Sequence, residues 1–120
     1  MQRRFTRILS TFLLLGFFII GTTNIVAQNC NTPINVSTTN VLNFSATLNW
    51  DLDTNVNRYR LRYREVSLGS WQYNHNVPLG NVFNLTGLSA SLNYEWQLKA
   101  ICSSGNLPTS GWSSLQTFIT

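Results

Sequence analysis

At 120 residues, of which 10% are charged, the chain has room for one folded domain and too few acids and bases for a dense catalytic or nucleic-acid surface. Its formal charge of +4 comes from eight basic and four acidic residues, but Arg3, Arg4 and Arg7 sit at the extreme N-terminus, so the remainder carries 5 − 4 = +1. A balance so near zero excludes nucleic acid and the membrane surface as partners on global charge.

In chain order, the three arginines open a basic start, Ile8 to Ile20 is almost wholly apolar, and Thr22 to Gln28 is a polar exit. That pattern predicts a signal peptide over residues 1–27, cut after Ala27, and hence a secreted, extracellular chain with no membrane attachment after cleavage. The alternative is membrane anchoring by an uncleaved signal, since extension through Ala27 approaches the ~20 residues that span a bilayer. Gly21, Thr22, Thr23 and Asn24 interrupt such a span. Lipidation of Cys30 would need a small residue before it, and Asn29 stands there. Cys30 and Cys102 remain, and an even count in an exported chain favours a disulfide over a metal site.

Beyond the signal, every apolar run is short and near two-periodic, so the predicted elements are strands. The first lies near Ile34 to Thr38, after Pro33, which suits a strand start because it donates no ladder hydrogen bond. The second spans Phe44 to Trp50, with Phe44, Ala46, Leu48 and Trp50 on one face. Asp51 to Asn57 is rich in residues that bond their own backbone, and reads as a loop. In the third strand, Arg58 to Glu65, Tyr59, Leu61 and Tyr63 alternate with Arg58, Arg60, Arg62 and Arg64. Gly69 marks a turn, and Trp71, Tyr73, His75 and Val77 share a face of the fourth strand. Phe83 and Leu85 form the fifth, with Leu88 packing after it. In the sixth, Tyr94, Trp96, Leu98, Ala100 and Cys102 face inward, while Glu95, Gln97 and Lys99 face water. The seventh, Trp112 to Thr120, changes phase between Trp112 or Phe118 and Leu115 or Ile119, which requires either two covered faces or a bulge.

Seven short strands in about 90 residues predict an all-β, immunoglobulin-like sandwich of two sheets. The core tryptophan Trp50, then Tyr59 and Tyr63, then Leu85, Leu88 and Tyr94 in L-T-G-L-S-A-S-L-N-Y, then alternating Trp96 and Leu98, resemble a fibronectin type III domain over residues 28–120. The resemblance is to the variant found in secreted proteins of Bacteroidota-like bacteria, with one cysteine before the first strand and another closing the sixth. It implies that Tyr94 is a tyrosine-corner residue whose hydroxyl meets backbone near Leu88. In such a sandwich the start of the first strand and the end of the sixth share one pole, which predicts a Cys30–Cys102 disulfide.

No constellation points to catalysis. Asp51 and Asp53 share a loop rather than opposing each other across a cleft, as glycosidase chemistry needs. Too few carboxylates surround them for calcium, and His75 has no metal-ligating neighbour in sequence. The expectation is therefore no enzyme, no cofactor and no metal, and a monomeric domain. The loop Ser103 to Gly111 carries no Arg-Gly-Asp tripeptide. What remains is a spacer or a protein- or surface-binding module, alone or as a piece of a longer extracellular protein. The alternative is an adhesin for an unidentified protein or polysaccharide, using exposed aromatic residues. Arg58, Arg60, Arg62, Arg64 and Trp71 form the candidate face, and the sixth strand is expected to lie beside the third and set Glu95 and Gln97 against the arginines.

Overall fold

The computed structural model describes residues 29–120 together with Gly21; the expected signal segment, 1–27, otherwise lies outside the described residues. Eight strand segments follow: β1 (Ser37–Leu42), β2 (Ser45–Asn49), β3 (Arg58–Glu65), β4 (Gln72–Pro78), β5 (Val82–Thr86), β6 (Asn93–Ile101), β7 (Thr109–Trp112) and β8 (Gln116–Ile119). One sheet has the order β1-β2-β5; the other runs β4-β3-β6, with β7 and β8 in turn on the far edge of β6. All pairings are antiparallel. Among the described residues no helix is long and apolar enough to cross a membrane.

The strand alternation puts Ala46 and Leu48 of β2 opposite Tyr59 and Leu61 of β3 and Trp96, Leu98 and Ala100 of β6, all at most 1% exposed. Burial of large apolar side chains contributes about 1.5–3 kcal/mol each. Trp50, Val77, Leu85, Leu88, Tyr94 and Phe118 complete the core. Three polar tips at its margin have partners. Trp50 Nε1 donates to the Gly80 carbonyl at 2.8 Å, Trp96 Nε1 donates across the sheets to Thr38 Oγ1 at 2.8 Å, and the Tyr94 hydroxyl accepts from the Ser89 amide at 3.0 Å.

Several sequence expectations shift. The first strand starts at Ser37 rather than Ile34, because Asn35 adopts a positive φ of 53° that ends any extended run, and its side chain donates to Asp51. Phe44 is exposed, since Asn43 and Phe44 form the hairpin turn before β2. Tyr63 is half-buried at the margin of the core, its hydroxyl on Gln72. A register shift where β3 meets β4 pairs Tyr59 with Val77 but Leu61 with Asn74, so Val77 is buried while Tyr73 and His75 face outward. The expected seventh strand is two, β7 and β8. Between them Ser113 donates its amide to the Leu98 carbonyl at 2.8 Å and accepts the Leu98 amide on Oγ at 2.9 Å. That side-chain bond substitutes for the ladder, and it lets Trp112 point outward while Phe118 points in.

Cys30 and Cys102 are joined by a disulfide, with Cα atoms 5.6 Å apart. It ties the segment before β1 to the end of β6 and closes the pole formed by the Asp51 to Asn57 loop, whose Asn57 amide donates to the Ile101 carbonyl.

Candidate functional site

Because Tyr59 and Leu61 are buried, Arg58, Arg60, Arg62 and Arg64 all project from the outer face of β3, roughly 7 Å apart along it. The β3–β6 register sets Lys99 across from Arg60, Gln97 across from Arg62 and Glu95 across from Arg64. Arg58, Arg60, Arg62, Arg64 and Lys99 are all the lysines and arginines of residues 29–120. They occupy one face of one sheet.

Like charges in a row repel, and the relief comes from the flanking strands. Arg62 lies between two indoles, its guanidinium carbon 4.5 Å from the Trp71 ring centroid and 4.3 Å from that of Trp112. Arg64 stands 4.3 Å from Trp71, and the Lys99 ammonium 4.8 Å from Trp112. The result is a ladder in the order Arg64, Trp71, Arg62, Trp112, Lys99, each contact worth about 0.5–1 kcal/mol where exposed and more where desolvated. Arg62 donates from Nε to Gln97 Oε1 at 3.0 Å, and Gln97 donates on to the Ser113 carbonyl at 2.8 Å. Arg64 Nε meets Glu95 Oε1 at 2.5 Å. Glu95 was expected to face water and is instead buried at 7% exposure, beneath its arginine.

The arginines therefore differ in use. Arg58 reaches the Gly105 carbonyl at 2.9 Å and Asn106 Oδ1 at 3.2 Å, and so pins the loop between β6 and β7. Arg60 has no hydrogen bond or ion pair among the described residues; its Nε is buried without a partner, and its strand neighbour is Lys99. Only Arg64 meets an acid on this face, and Arg60 lacks a hydrogen bond as well. Trp71 and Trp112 each hold two cations against their rings, so neither is a bare stacking platform. The exposed aromatic pair is Tyr73 and His75, stacked with ring centroids 5.7 Å apart.

Sequence periodicity placed the arginines on one face but did not assign Lys99 to the ladder or Arg58 to the loop. The β3–β6 register was the missing information, since opposition across strands depends on which residue faces which. Asp51 and Asp53 lie together at the disulfide pole, apart from this face, and His75 lies beside Tyr73. Among the described residues no group of three or more His, Cys, Asp or Glu side chains is placed to hold a metal.

With this geometry in hand, the chain superposes on a solved myokine structure with a TM-score of 0.63 at 21% identity, over 77% of this chain and 98% of that one. It superposes likewise on the FN1–FN3 domains of chicken CNTN1, with a TM-score of 0.64 at 20% identity over 77% of this chain, which spans 31% of that longer one. The fold is that of a fibronectin type III domain. No family model matches the chain, and no curated protein matches it in sequence. At these identities the likeness concerns the fold, and in a fibronectin type III sandwich function must be argued from surfaces.

Proposed function

We propose that this fibronectin type III domain is an extracellular, non-enzymatic module, a spacer or a protein- or surface-binding domain, whose working surface is the cationic outer face of β3 and β6. The observation that carries the reading is the placement of all five basic side chains of residues 29–120 on that face, beside a single carboxylate, Glu95. The disulfide supports an oxidising compartment, where such bonds persist. The ladder supports a rigid surface, because each rung holds the next. The chemistry best matched to the uncompensated Arg60 and Lys99 is an anionic partner, an acidic protein or an acidic polysaccharide.

The test is retention of the purified domain on a polyuronate matrix and on neutral dextran across a salt series. Binding to the polyuronate alone is expected, falling steeply between low and physiological salt, with Arg60→Ser and Lys99→Ser each weakening it about two- to fivefold at low salt. Binding that is independent of salt, or unchanged in the double substitution, would remove the docking face and leave the spacer role.

A further inference from the structure

The register shift between β3 and β4 pairs Leu61 with Asn74 and Tyr59 with Val77, so two residues, His75 and Asn76, stand opposite the single Arg60. A bulge of this kind re-aims a side chain. Both residues are exposed, and His75 lies on the outer face, its ring plane 7° from that of Tyr73, whose own partner on β3 is Arg62. On its other side Arg60 pairs with Lys99 of β6. His75, Arg60 and Lys99 thus form one row across three adjacent strands, which lie about 4.8 Å apart.

His75 is the one histidine of the chain. Histidine changes its charge between pH 5 and 8, so the row holds two positive charges at the upper end of that range and three at the lower. The charged and titratable groups around it are Tyr73 on its own strand, Arg60 and Arg62 on β3, and Lys99 beyond them on β6. Among the described residues no carboxylate forms an ion pair with it; Glu95 is taken by Arg64, two outward positions further along β3.

We propose that an acidic polysaccharide lies across the strands along this row, with His75 as a proton-operated third cation, so that binding tightens as pH falls. The proposal rests on the reading of the outer face of β3 and β6 as a docking surface for anions. A spacing of about 4.8 Å between cations is close to the length of one sugar residue, and so suits a chain with one carboxylate per sugar. An acidic protein strand would instead present its charges roughly 7 Å apart, the spacing of the arginines along β3, where Arg62 and Arg64 are held by indoles. Arg60 and Lys99 both repel a third positive charge beside them, and a polyanion laid over the row removes that repulsion. Proton uptake and anion binding therefore favour each other. The Tyr73 ring, 5.7 Å from the imidazole, offers the added charge a π face.

The experiment is calorimetric titration of the purified, disulfide-bonded chain with oligogalacturonate at pH 5.5 and 7.5 and low ionic strength, and with oligoglutamate of equal charge number. The sugar acid is expected to bind roughly two- to fivefold more tightly at the lower pH, and more tightly than the peptide. His75→Gln is expected to bind equally at both pH values, and His75→Lys to bind at pH 7.5 about as the native protein does at pH 5.5. Near pH 6.5 the native protein should take up protons on binding, seen as heats that depend on the buffer, and His75→Gln should not. Equal native affinity at both pH values, or a pH slope kept in His75→Gln, overturns the role of His75 and leaves the docking face standing. Equal or tighter binding of oligoglutamate overturns the polysaccharide as occupant. Absence of binding to either anion at both pH values removes the face itself, and this inference with it.

Discussion

Four arginines on one strand have unlike environments, and the difference lies in the residue opposite each. Gln97 steers Arg62 between two indoles, Glu95 takes Arg64, the Ser103 to Asn106 loop takes Arg58, and Lys99 leaves Arg60 without an acid. On the inner side of the same strand, Tyr59 has a consequence for stability. Burial raises its pKa above 10.0, so above that pH the unfolded chain loses a proton that the folded chain keeps. The contribution is complete below about pH 10 and is lost as pH rises through the folded pKa. Melting temperatures measured between pH 8 and 11 are expected to fall more steeply for the native protein than for Tyr59→Phe. Parallel curves would show that the phenol titrates alike in both states.

At the scale of elements, β2, β3 and β6 were legible because apolar and polar residues alternate along them, although in β6 the out-of-phase Glu95 and Ile101 are buried as well. The edge strands were not. In β4 a register shift turns Val77 inward and Tyr73 outward, and between β7 and β8 the ladder breaks at Ser113 to Leu115. Each is a backbone irregularity that reverses which face a side chain meets, and polar serines and asparagines carry no hydrophobic phase to announce it. Ser113 tests the importance of the break. Its hydroxyl serves the buried Leu98 amide, so Ser113→Ala is expected to cost about 1–3 kcal/mol in urea unfolding. The exposed Ser114→Ala is the reference, and equal midpoints for the two variants would mean that the ladder closes without the hydroxyl.

Over residues 29–120 the molecule is segregated by charge, with the lysine and arginines on one sheet face and two aspartates at one pole, and it is tied at that pole by a single covalent bond. The Cys30–Cys102 bond closes a separation of 72 residues, for which the chain-entropy model gives a stabilisation of about 4 kcal/mol. Against the 5–15 kcal/mol typical of a domain, reduction is expected to lower the melting temperature sharply, as calorimetry with and without reductant would show; unchanged melting would mean that the reduced chain keeps the same order before unfolding. The same bond also decides how the domain behaves as a tether. Tension applied between Asn29 and Thr120 passes from Cys30 directly into Cys102, bypassing everything between them, so that 120 − 102 = 18 residues can be drawn out. That is about 60 Å of slack at the extended reach of roughly 3.4 Å per residue. With the bond reduced, 120 − 28 = 92 residues are free to extend, roughly 300 Å on the same scale, so the oxidation state of one sulfur pair sets whether the module gives way under load as a short strap or a long one.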